Sequence, residues 1–286
     1  MDRNKRWKEE KIIVNIFKIL KHRKIIALLF IISIIFSDVN VVKADSDGNL
    51  CEVGVLVVGD YSDWDDLGNL NAPIQIKKDV ESAFKKGNAK GWSIGVAKQN
   101  KDVKINMFKG KSLGGKDNEF ADNVDLLFWS GHGLKPNCHG ASDYSLALDY
   151  SGGKKYAKQS EMYLGNKDLE WFVTFTCNFL KGGLDDVGHL AKGIHCVCGY
   201  QTGVILVSNM GKTMSNKLKK GISVKEAFFA TADETQPWND FSTRKAAVFT
   251  TTSCAADRIW GYGKQASDPK SYSQDSSDYI IYQYKY

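Results

Sequence analysis

Two side chains are placed to do covalent chemistry. Leu126-Leu127-Phe128-Trp129-Ser130 runs into Gly131-His132-Gly133, and Trp171-Phe172-Val173-Thr174-Phe175 runs into Thr176-Cys177-Asn178, 45 positions after the histidine. Each apolar run ends abruptly in a reactive group flanked by small or polar residues. A thiol can attack a carbonyl carbon once a base has taken its proton. An imidazole titrating near neutrality can hand a proton to the departing group. Acyl transfer also needs donors aimed at the developing oxyanion, each worth about 3 kcal/mol. The backbone amides of Gly133 and Cys177 are the candidates. Glycine beside His132 permits a close backbone approach, and Asn178 could orient the loop.

Positioning them is a matter of strands. Continuous apolar runs of this length read as strands buried on both faces of a parallel sheet. Side by side, they would deliver thiol and imidazole to the carboxyl edge, where open α/β sheets hold their ligands. Glu52–Gly59 reads as a first strand, closed by the acidic turn Asp60, Asp63, Asp65 and Asp66. Pro73 opens a helical pattern through Ile76, Val80, Ala83 and Phe84, stopped at Gly87. Lys104–Phe108 alternates and suggests a second strand. Residues 134–167 show little periodicity beyond 144–148. Ile194–Tyr200 reads as a fifth strand and Ala246–Thr251 as a sixth. Ser223 with Glu226 forms a capping box for a helix through Ala227, Phe228, Phe229 and Ala232. Strands alternating with helices predict a largely parallel α/β sheet with right-handed crossovers.

The N-terminal 44 residues stand apart. A basic stretch precedes the apolar run 25–36, which is short against the roughly 20 residues of a membrane span and suits a signal peptide. Val42-Lys43-Ala44 offers a cleavage point. The chain is therefore expected to be exported and to touch membrane through this segment alone. The whole chain carries 39 Lys and Arg against 33 Asp and Glu. Residues 1–44 hold ten and four of these, which leaves 29 of each sign in residues 45–286. The basic balance thus belongs to the targeting segment and gives no support to nucleic-acid binding. The expected organisation is a signal peptide over 1–44, one α/β domain over 45–260 and a tail over 261–286, with an edge strand conceivable around Tyr279–Tyr282.

Other reactive groups carry weaker patterns. The six cysteines (51, 138, 177, 196, 198 and 254) are too few for a disulfide scaffold, and the spacing does not choose a pairing. His139 follows no apolar strand. Cys138, His139, His132 and Cys177 lack the paired spacing of a zinc motif. His189 reads as structural. His195 and Tyr200 bracket a strand expected to line the substrate cleft.

Ser130-Gly131-His132-Gly133 followed by Thr176-Cys177-Asn178 resembles the caspase-like cysteine peptidases, and within them the gingipain-type and CHAT-domain branches. Cys177–Leu180 and Gly193–His195 are similar to an uncharacterised family of secreted microbial caspase-like domains. The resemblance spans roughly residues 50–255. It implies a caspase-hemoglobinase-like three-layer sandwich with a mostly parallel six-stranded sheet. It further implies a His132–Cys177 dyad, a protein or peptide substrate, a thioester intermediate, and no metal or cofactor in the chemistry. It also implies that the loop after the first strand helps form the pocket for the residue before the cut; Asp60, Asp63, Asp65 and Asp66 there would favour Lys or Arg. Two rival readings share these residues: an inactive domain that binds a peptide or surface partner, and a thiol acyltransferase or amidase.

Overall fold

Every side chain of Leu126–Ser130 and of Trp171–Phe175 is buried. These two strands, β3 and β7, pair in parallel from Leu126↔Trp171 to Ser130↔Phe175. Leu127, Trp129 and Phe172 enter one core; Leu126, Phe128, Trp171, Val173 and Phe175 enter the other. Alternation of side chains across the pleat sends one apolar run to two faces, so both faces must be covered. The computed structural model describes residues 51–148, 155–236, 244–274 and 278–285. The expected signal peptide and its Ala44 cleavage point lie outside the described residues.

The rest of the large sheet extends from this pair. β1 (Glu52–Val57) flanks β3, and β2 (Ser93–Gln99) is the edge beyond β1. On the other side come β8 (Cys196–Tyr200), β9 (Lys245–Thr251) and β10 (Tyr279–Lys285). The run β2-β1-β3-β7-β8 is parallel; β9 and β10 are added antiparallel. Among the described residues this makes a seven-stranded, mostly parallel sheet. A second sheet of three short strands, β4 (Gly133–Leu134), β5 (Ser145–Ala147) and β6 (Tyr156–Lys158), occupies the stretch where the sequence shows little periodicity.

Helices cover one face. α1 (Ala72–Phe84) buries Ile76, Val80 and Phe84 in the core that holds Phe128. After α2 (Leu184–Gly188), α3 (Met210–Lys219) and α4 (Val224–Thr235) add Met214, Leu218, Ala227 and Phe228 to that same core. α4 begins where the capping box places it: Ser223 Oγ accepts from Glu226 N at 3.3 Å. The small sheet backs the opposite face, with Leu146, Ala147 and Ala157 packed into the core of Trp129 and Phe172. The chain is thus an α/β sandwich.

Two expectations change. Lys104–Phe108 is not a strand: Ile105–Met107 is a 3₁₀ turn, and the second strand lies earlier, at Ser93–Gln99. The alternation misleads because Met107 and Phe108 bury against the sheet from a turn, whereas β2 is an edge strand with no fully buried residue. The segment after 260 supplies the edge strand expected around Tyr279–Tyr282, here β10, so the folded unit reaches Lys285 instead of ending at 260. Tyr279 is buried, stacks on Phe249 at 4.8 Å, and donates from its hydroxyl to Ile194 O at 2.7 Å. Tyr279→Ala is expected to lose about 3–5 kcal/mol, as other buried aromatic truncations do, and removal of 278–286 to expose the β9 edge to association. Thermal unfolding and light scattering check both; an unchanged Tm for the truncated chain would show that β10 is dispensable.

Candidate active site at the carboxyl edge

Because Ser130 and Phe175 are register partners, His132 and Cys177 each stand two residues past the same rung. Neither loop diverges at once. Gly131 N donates to Phe175 O, and Thr176 Oγ1 donates to Gly131 O at 2.8 Å. A Cβ on Gly133 would lie 2.0 Å from Cys177 O, and one on Gly131 would lie 2.7 Å from Tyr61 Oη. Both flanking glycines are therefore required by contacts within the protein. The close approach read from the sequence as room for substrate is made by the cysteine's own carbonyl.

Tyr61, buried just past β1, sets the histidine loop. His132 N donates to its hydroxyl at 2.8 Å, that hydroxyl donates to Ala147 O at 3.1 Å, and the two rings meet edge-on at 4.7 Å. Trp64 Nε1 donates to Leu148 O, fastening the loop after β1 to the residue that follows β5. His132 Nε2 lies 2.9 Å from Gly68 O. A carbonyl can only accept, so Nε2 carries the proton and Nδ1 keeps its lone pair. Burial pushes the His132 pKa below its ordinary value; the Gly68 hydrogen bond opposes this and loses. That direction favours the neutral ring near pH 7.

Cys177 is half-buried, and its thiol does not hydrogen-bond the imidazole. Sγ accepts from Val204 N at 3.3 Å, in the loop after β8. Burial pushes the thiol pKa up, against the lowering effects of the Val204 bond and Arg244. Asn178 has φ +59°, a left-handed backbone that asparagine tolerates better than most residues. Such strain gathers where structure holds a reactive group. On the other side, His132 O accepts from Ala147 N at 3.0 Å, so Gly133 pairs with Leu146 at a non-hydrogen-bonded position and its N–H turns away from β5.

The remaining candidates divide. Asp60, Asp63, Asp65 and Asp66 are exposed on the loop that also carries Tyr61 and Gly68, the two residues of it that touch His132. Asp60 accepts from Ser62 N and Oγ, which lowers its pKa, and Asp66 pairs with His139 at 2.5 Å. Tyr200 is fully buried against Phe228 at 5.3 Å and lines no open cleft. His195 precedes β8, at the opposite edge of the sheet from Cys177, and is fully buried. Parallel strands put their starts and ends on different edges, so a residue heading β8 cannot meet one following β7. His189 binds Gln159 O and is structural. Tyr61, Gly68 and Val204 carried no sequence signal, since two of them act only through backbone atoms.

Fold and edge together define an α/β protein whose parallel sheet presents histidine and cysteine from adjacent strands. Residues 66–282 match a family described as a domain of unknown function (DUF6345), and the chain belongs to it. No curated protein matches it.

A histidine pKa pushed down and a thiol pKa pushed up have a measurable signature. Iodoacetamide should alkylate Cys177 at a rate that climbs through and beyond the usual thiol range, and the His132 NMR titration should fall below the ordinary value near 6.5. A depressed histidine pKa contributes stability above about pH 6.5 that is lost as pH falls through the folded value. A rate already at plateau near pH 6 would instead reveal a preformed thiolate–imidazolium pair.

Proposed function

We propose that the protein is an exported cysteine endopeptidase in which Cys177 is the nucleophile and His132 the proton carrier. The observation that carries this reading is the shared rung: one strand pair sets both groups at equal distance past Ser130↔Phe175. The loop after β1 holds the imidazole through Gly68 and the loop after β8 holds the thiol through Val204, in keeping with ligand sites at the carboxyl ends of α/β strands.

The chemistry follows from the resting protonation states. Cys177 holds its proton and His132 Nδ1 can take it. As substrate enters, sulfur bonds to the peptide carbonyl carbon and the thiol proton passes to imidazole. The C–N bond then breaks, and the imidazolium gives that proton to the leaving amine. Water adds to the thioester, the S–C bond breaks, and the water proton returns to sulfur. The N–H of Gly133, directed away from β5, and that of Cys177 serve the oxyanion. Substrate must displace enough water for thiol and imidazole to communicate, since hydrogen bonds of this kind often tighten only in the complex.

The caspase-like architecture belongs to the same proposal. So does export, which rests on the segment 1–44, and so does preference for Lys or Arg before the cut, which rests on the acidic loop beside His132. The acyltransferase alternative shares every residue named and differs in the acceptor of the acyl group.

Incubation of the purified protein with a peptide library should yield cleaved products. Cys177→Ala and His132→Ala should each reduce turnover by about 10³-fold or more. Unaltered turnover in either variant removes the dyad; products joined to an added amine would move the reading to acyl transfer. A panel varied at the residue before the cut should favour Lys and Arg, and Asp60→Asn with Asp63→Asn and Asp65→Asn should erode that preference. Equal rates across the panel would remove the pocket assignment.

A further inference from the structure

The opposite edge of the sheet holds a second concentration of reactive groups. His195, Cys254 and Asp257 are all buried, and their ligand-type atoms lie within 4.8 Å of one another. His195 is fully buried with a carboxylate on each ring nitrogen: Asp257 Oδ2 at 2.6 Å from Nδ1, and Asp268 Oδ1 at 3.1 Å from Nε2. Glu170, whose carbonyl takes the N–H groups of His195 and Cys196, is also buried; neither of its carboxylate oxygens has a hydrogen-bond partner. A fully buried imidazole, a buried thiol and two buried carboxylates in one place are more polar chemistry than a core needs. Burying such groups costs several kcal/mol unless each finds a partner.

We propose that this cluster is a zinc-class divalent metal site in which His195 Nδ1, Cys254 Sγ and Asp257 are ligands. The donor set argues for the ion: imidazole, thiolate and carboxylate together suit Zn²⁺ and exclude Ca²⁺ or Mg²⁺, which take oxygen alone. The surroundings match as well. A ligating histidine commonly donates its other N–H to a carboxylate, and Asp268 stands in that position on Nε2. Glu170 is close enough to feel the His195 charge, but its oxygens lie outside the three-ligand group, which leaves the fourth place to water. Asp268 and Ser253 also line a cleft of about 240 Å³ with Thr251 and Tyr279, which provides an entry path from solvent.

The geometry requires a small adjustment. Ligands around tetrahedral zinc sit about 3.3–3.8 Å apart, given bonds of about 2.0–2.3 Å. The Asp257–His195 pair must open from 2.6 Å, where a proton lies between them, and the widest pair must close by about 1 Å. Ligation requires a neutral imidazole and a thiolate, so zinc uptake releases protons. Bound there, the ion ties the segment 254–268 to the start of β8. It is structural and independent of the Cys177 edge.

Elemental analysis and native mass spectrometry of the full chain should find one zinc per molecule. Chelation should lower Tm by several degrees and added Zn²⁺ should restore it. Cobalt substitution should give a thiolate-to-metal charge-transfer band that survives Cys177→Ala and is lost in Cys254→Ala. Asp257→Asn should weaken zinc binding by about tenfold or more. X-ray absorption on the wild-type protein needs no variant and should show one sulfur with nitrogen and oxygen neighbours. Failure of the metal-free protein to take up Zn²⁺, a first shell without sulfur, or a cobalt band lost in Cys177→Ala but kept in Cys254→Ala would each overturn the site.

Discussion

The parallel pairing of β3 with β7 is the constraint from which the rest follows. Both strands are buried on both faces, so neither can slide by one residue without exchanging its two sets of apolar side chains between cores. That locks Ser130 opposite Phe175, and the lock extends two residues further through the Thr176–Gly131 hydrogen bond and the contact of Gly133 with the Cys177 carbonyl. The reactive groups have no place inside the strands, where a thiol or imidazole would displace Phe128- or Val173-sized residues from a packed core. They occur at the first positions where the layers above and below end.

Burial then sets their protonation. The same low-dielectric surroundings push the imidazole toward its neutral form and the thiol toward its protonated form. Together they favour an imidazole with a free lone pair and a thiol that keeps its proton, on loops that leave the same rung. The Gly68 carbonyl decides which nitrogen is free. At the far edge the balance runs the other way. Burial again disfavours charge on His195, yet the hydrogen bonds its ring donates to Asp257 and Asp268 outweigh it and hold its pKa up to about 12. One residue type thus takes opposite states at the two ends of one sheet, according to whether it faces a carbonyl or a pair of carboxylates.

The legible parts were those that depend on local pattern. β1, β3, β7, β8 and β9 stand out because continuous apolar runs arise where a strand is covered on both faces. α4 was legible through Ser223 and Glu226, whose spacing carries a capping mechanism. β2 was missed because an edge strand exposes half its residues and loses its signature, while the 3₁₀ turn at Ile105–Met107 copied a strand's alternation. The small sheet β4-β5-β6 was hidden because strands of two or three residues are too short to show a period.

The sequence by itself determined that His132 and Cys177 end two strands of a parallel sheet and therefore share an edge, since strand burial and strand direction are written in residue type and order. Tertiary structure alone decided which atoms meet there: Tyr61 arrives from 71 positions away, and Val204 from 27 positions beyond the thiol. It also decided that His195, equally conspicuous as a histidine heading a strand, belongs with Cys254 and Asp257 on the other side of the molecule. The physical reason is that periodicity encodes which face a residue takes along its own element. Contacts between distant elements, especially through backbone carbonyls and amides that every residue possesses, leave no mark on residue identity.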